Sequence, residues 1–192
     1  MSGDPGDQST SQVSATPASA PGHVTALIRH FDDLRDRTHG GSISRQDKEA
    51  HFARAVELLA PVARQALDEI NTHLLLNSGR VVAAGLQRNA AGGLRASWEL
   101  AWSEQRSAGV APVTLLAYYG IGFHHPHLRG ATVGDWPLNV FTERDAADHL
   151  PMLRAIATAE LHNLVFQADY RIIPAVMRPP SEPPSSGSPT GS

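Results

Sequence analysis

The apolar positions along this chain follow two different periods, one helical and one alternating. Val24, Leu27, Ile28, Phe31 and Leu34 recur at helical spacing among Arg29, Asp32, Asp33 and Arg35, which predicts a first amphipathic helix over 24–37 that Gly40-Gly41 ends. Ser44 followed three residues later by Asp47 has capping-box spacing, with the hydroxyl accepting from an early amide and the carboxylate meeting the positive helix end. From there Phe52, Val56, Leu59, Ala63, Leu67, Ile70 and Leu74 step by three and four into one continuous apolar stripe. Pro61 lies inside that stripe, where it removes one backbone hydrogen bond and predicts a kink near Ala60 rather than two helices.

After Asn77-Ser78-Gly79 the period becomes two. Residues 80–88 read as a strand, Asn89 to Gly93 as a turn, and 94–105 as a second strand in which Leu94, Ala96, Trp98, Leu100 and Trp102 alternate with polar or small residues. A third strand is expected over 113–123, with Val113, Leu115, Ala117, Tyr119 and Ile121 on one side, and the three runs make an antiparallel meander. Residues 124–137, rich in His, Pro and Gly, read as a loop, with a short strand expected at 138–141. Thr142 and Asp145 repeat the capping spacing and open a helix to about Phe166, striped by Leu150, Leu153, Ala157, Leu161 and Leu164, which Pro151 bends or restarts. Tyr170, Ile172 and Ile173 suggest a last strand that Pro174 would place at an edge. The expected fold is α+β: an antiparallel sheet of three to five strands with amphipathic helices packed on one face.

Composition sets the limits of that unit. Eight of the 14 prolines and none of the aromatic residues lie in residues 1–22 and 178–192, so both ends are expected to be disordered tails around a single domain over 23–177. A domain of that length can bury roughly two-thirds of its unfolded surface without metal or disulfide staples. Absence of cysteine excludes disulfides, a thiolate nucleophile and sulfur-ligated metal. Residues 1–22 lack the apolar run of a secretory signal, and no stretch approaches the ~18 apolar residues of a membrane span, so a cytoplasmic protein with no membrane association is expected. The formal net charge is −3 with no basic run, which argues against nucleic acid as a partner.

Two features carry candidate chemistry. Strand three is apolar on both sides, so Leu116 and Tyr118 are expected on the open sheet face, and Trp136 lies nearby in a loop beside Asp135 and Pro137. Exposed apolar area of this kind predicts a non-enzymatic accessory or assembly domain that binds a protein partner or itself through the open sheet face and the His-rich loop. The second feature is Gly122-Phe123-His124-His125-Pro126-His127. In extended backbone His125 and His127 point the same way and could ligate one divalent metal, with His149 or Glu160 of the last helix as alternative third ligands. His149 and Glu160 are about 16 Å apart along one helix, so they cannot serve together. The alternative function is therefore a metal-dependent enzyme in which that ion activates water or dioxygen.

Overall fold

The computed structural model describes residues 21–178; the expected tails lie outside these residues except at their inner edges, where Gly22 already opens a helix. The order is α1 (Gly22–Asp36), α2 (Arg45–His73), β1 (Arg80–Arg88), β2 (Leu94–Ala101), α3 (Ser103–Ser107), β3 (Val113–Tyr119), β4 (His127–Gly130), β5 (Trp136–Pro137), α4 (Glu143–Asp148), α5 (Leu150–Gln167) and α6 (Pro174–Met177). The five strands form one antiparallel sheet in sequence order. This is the α+β architecture that the alternating and helical periods imply.

One sheet face builds the core. Leu94, Ala96, Trp98 and Leu100 of β2, Val113, Leu115, Ala117 and Tyr119 of β3, and Leu128 of β4 are all buried there. Against them lie Phe52, Leu59, Ala63 and Leu67 of α2 and Leu153, Ile156, Ala157 and Leu164 of α5, two helices that also pack on each other. α2 runs unbroken through Pro61, which sits on the exposed side of the helix, where the carbonyl it leaves unpaired can meet water. Ser44 caps α2 by accepting from the Asp47 amide, and Thr142 and Asp145 form the reciprocal capping box of α4. The start of α2 is stitched to the sheet by Arg45. Its guanidinium lies 3.6 Å from the Tyr119 ring centre and donates to the Tyr119 and Gly120 carbonyls, while Glu49 takes both Arg45 and Arg88.

Several segments differ from the pattern-based expectation, each for a local reason. β2 ends at Ala101, and Trp102 is the N-cap of α3; its ring is fully buried and its indole Nε1 donates to the Ile172 carbonyl at 2.6 Å. That bond fixes residues 170–172 as a turn of 3-10 helix rather than an edge strand, with Asp169 accepting from the Arg171 amide. β3 stops at Tyr119, where Arg45 takes the carbonyls that a longer strand would pair, and Ile121 is exposed. The expected loop 124–137 contains β4 and β5, whereas 138–141 is not a strand; Leu138 and Val140 are buried and the Asn139 side chain donates to the Ala26 carbonyl. The last long helix is two helices, α4 and α5, joined at His149 with Pro151 in the first turn of α5, where a missing amide costs nothing.

α1 is the largest departure. It is amphipathic as expected, but most of its apolar stripe faces away from the core: Ile28, Phe31 and Leu34 are 53%, 58% and 42% exposed, while Val24 and Leu27 are half-buried. The side turned inward carries half-buried His30 and buried Asp33.

Candidate functional site

The inward face of α1 meets the His-rich loop and the turn between α1 and α2, and this junction gathers histidines from four segments. His30 comes from α1, His39 from the α1–α2 turn, His51 from α2, and His125 and His127 from the loop and start of β4. The turn His39-Gly40-Gly41-Ser42 has positive φ at both glycines (57° and 81°) and closes by paired backbone hydrogen bonds between His39 and Ser42, which is why two glycines stand there.

The ring centres of His30 and His125 are 4.1 Å apart, edge to face; His125 and His127 are 5.0 Å apart and His30 and His127 6.5 Å. His125 is 5% exposed and His39 is fully buried. The Nδ1 atoms of His30, His125 and His127, and both ring nitrogens of His39, are buried without a hydrogen-bond partner. Desolvation lowers the pKa of all four, to about 4 for His39 and about 3 for His125, so the junction holds neutral imidazoles. Proximity reinforces this for His125, since protonated His30 or His127 would repel a second charge.

Acidic and basic groups frame the cluster. Asp33 accepts from the Thr38 hydroxyl at 2.7 Å, and its unpaired Oδ2 stands 3.8 Å from His39 Nδ1. Lys48, the sole lysine of the chain, is buried; its ammonium donates to the Arg37 carbonyl at 2.8 Å and the His124 carbonyl at 3.3 Å, tying the end of α1 to the loop. Burial lowers the pKa of that ammonium. Asp135 lies beside His127 and the Tyr118 hydroxyl. Ser42 Oγ and His51 Nε2 share a hydrogen bond of 3.0 Å, but among the described hydrogen bonds no carboxylate orients that imidazole as a catalytic dyad would need.

The structure thus groups the expected site residues differently from their sequence pairing. His125 and His127 do converge, and their third neighbour is His30. His149 sits at the α4–α5 joint, where its Nδ1–H donates to the Asp145 carbonyl at 2.7 Å. It lines a cavity of about 890 Å³ between α1 and α4–α5, together with Arg29, Asn139, Arg144 and Asp145. Glu160 is fully buried and one carboxylate oxygen accepts from the Thr132 amide, the Thr132 hydroxyl and the Val133 amide. It holds the β4–β5 turn closed over Gly130, a position where any Cβ would strike the Glu160 carboxylate. Among the described residues, no group of three or more His, Asp or Glu side chains stands, as placed, where it could hold a metal ion.

Leu116 and Tyr118 lie on the open sheet face as expected, each half-buried. Tyr118 stacks on His127, with ring centres 5.5 Å apart, and takes the edge of Phe123 at 5.7 Å. Phe123 and Trp136 are 46% and 42% exposed, and β5, which carries Trp136, packs beside α1. The remainder of that sheet face is mixed: Gln87, Arg95, Ser97, Glu99 and Thr114 line a shallow cavity of about 310 Å³ with Ala84 and Leu116, and Val82 beside Glu99 is 51% exposed. His30, Asp33 and His39 were not singled out by sequence reasoning. The signal was the i, i+3 spacing of His30 and Asp33 opposite the apolar stripe, which reads equally well as the wet side of a helix.

Comparison with known protein families, with curated proteins and with solved structures finds no match to this chain. No helix among the described residues is long and apolar enough to cross a membrane.

Proposed function

We propose that this chain is a non-enzymatic assembly domain that pairs with a second copy of itself through the outward face of α1 and Trp136 beside it. The observation that carries this reading is the apolar stripe Ile28, Phe31 and Leu34, turned to water on a helix that presents His30 and Asp33 to the molecule. Exposed apolar area of this kind marks an interaction surface, and Trp136, also exposed, lies on β5, which packs beside α1. The chain's own ends are poorly suited to cover it, since residues 1–20 hold Met1 and Val13 as their large apolar side chains and 179–192 hold none.

A second copy fits better than a strongly charged partner. The exposed charges of α1 are Arg29, Asp32, Arg35 and Asp36, two of each sign, and Arg35 already pairs with Asp32 at 3.0 Å and Asp36 at 2.7 Å. Two such faces related by a two-fold axis meet without net repulsion and bury the same stripe from both sides. A metal-dependent reaction, the other reading of His125 and His127, draws no support from His149 or Glu160, both held in local hydrogen bonds.

Sedimentation of the full chain across a hundredfold range of concentration tests the proposal. A reversible dimer is expected, abolished by Phe31→Asp with the circular dichroism spectrum unchanged. A wild-type chain that stays monomeric throughout, or a dimer indifferent to both Phe31→Asp and Ile28→Asp, overturns it.

A further inference from the structure

We infer that His30, His125 and His127 form a binding site for a first-row transition metal ion such as Zn²⁺, which clamps α1 onto the start of β4. The two segments are about a hundred residues apart in sequence and the fold brings their imidazoles together where α1 meets the His-rich loop. Three buried Nδ1 atoms without any hydrogen-bond partner are costly unless something takes their lone pairs. A cation does so, and it prefers neutral imidazole to imidazolium.

One of the three ring spacings matches what such an ion requires. Three imidazoles bound to one tetrahedral ion through bonds of 2.0–2.1 Å place their ring centres about 5 Å apart. His125 and His127 are at 5.0 Å. His30 stands too near the first and too far from the second, 4.1 and 6.5 Å, so a swing of the single His30 side chain toward His127 closes the set. His30 is half-buried on α1. Asp33, one turn further along α1 with its Oδ2 buried and unpaired, and Asp135 beside His127 place negative charge around the ion. Lys48 is directed instead toward the Arg37 and His124 carbonyls.

This inference is independent of self-assembly and is tested separately. The untagged full chain, purified without chelators or metal columns, is titrated with Zn²⁺ and with Co²⁺, following bound metal, the visible absorption of tetrahedral Co²⁺ and the thermal midpoint. One ion per chain is expected, with an intense Co²⁺ band and a rise in Tm. His30→Gln and His125→Gln should each weaken binding by roughly 100-fold or more and remove the Tm rise. His162→Gln, on the exposed part of α5, should leave both unchanged. No uptake by a folded wild-type chain, or uptake that survives His30→Gln and His125→Gln, overturns the site. Because His30→Gln leaves Ile28, Phe31 and Leu34 in place, sedimentation of the same variant separates failure of this site from failure of the dimer.

Discussion

α1 and α2 are both amphipathic by sequence, yet they are used in opposite senses. α2 lays Phe52, Leu59, Ala63 and Leu67 on the sheet with no exposed area on any of them. α1 leaves Ile28, Phe31 and Leu34 in water and presents His30 and Asp33 to the protein. Amphipathic spacing establishes that a helix has two unlike faces; which face turns inward depends on what the neighbouring surface offers. The surface under α2 is the apolar face of β2 and β3, while the surface under α1 is a loop of imidazoles, carbonyls and a buried lysine. Burial of apolar area therefore anchors α2, whereas α1 buries only part of Val24 and Leu27 and is also held by polar contacts: Asn139 to the Ala26 carbonyl at 3.1 Å, Lys48 to the carbonyl of Arg37 just after the helix, and Arg29 to Asp145 at 3.5 Å.

The sharpest test of this contrast is truncation on the α2 side. Leu59→Ala opens a cavity in a fully buried position and should cost about 2–5 kcal/mol in chemical denaturation. A cost below about 1 kcal/mol would mean that the core is not where the burial places it.

Acidification should act next, and on the α1 side. His39 is neutral in the fold, with its pKa lowered to about 4, chiefly by desolvation, and is free to protonate once unfolded at the ordinary value of 6.5. Stability from such a group is fully present above pH 6.5 and is lost as pH falls from there toward 4, because the unfolded chain binds the proton first. The shift corresponds to roughly 3 kcal/mol at its limit, of which about 2 kcal/mol should be gone at pH 5. His125, lowered to about 3, extends the loss to lower pH. Urea unfolding of the wild type and of His39→Phe at pH 7.5 and pH 5 measures it. The wild type should lose more stability than the variant on acidification, and parallel losses would mean that His39 titrates in the fold as freely as in the unfolded chain.

Glu160→Gln should follow at about 1–3 kcal/mol. The substitution exchanges a carboxyl acceptor of three hydrogen bonds from Thr132 and Val133 for an amide, inside a site with no exposure. Its structural effect should stay in residues 130–135, visible as faster amide exchange at Thr132 and Val133. A variant with unchanged stability and exchange would mean that the carboxylate does not hold that turn.

These regions also differ in how well the sequence announced them. β1, the β1–β2 turn, the inward side of β3 and both caps followed directly from alternation and capping spacing, because each is decided by neighbours a few residues away. The 3-10 turn at Tyr170 to Ile172 did not, because the Trp102 indole that fixes it lies 70 residues earlier. β4 and β5 were hidden for a similar reason: Glu160 closes their turn from a helix that follows both strands. At the candidate site, the local pair His125 and His127 was visible from the two-residue spacing. His30 was not, since on a helix assumed to pack by its apolar stripe it falls on the side assigned to water. The same assumption leaves Leu116 and Tyr118 of the open sheet face as the expected apolar surface, whereas the more exposed one is on α1.

The smallest effect expected is also the one that most directly separates the two helices. Replacing Phe31, at 58% exposure, by serine removes little buried area, so the monomer measured at low concentration should change by no more than about 0.5 kcal/mol. At concentrations where copies pair, the same substitution should lower the apparent midpoint of unfolding relative to the wild type, because association stabilises the folded state by mass action. The separation between the two Tm values should then grow with protein concentration. A loss of several kcal/mol at low concentration would show that Phe31 packs within its own chain, and α1 would join α2 as a helix held by its apolar face. A loss that is small at every concentration would leave the stripe exposed without a second copy to cover it.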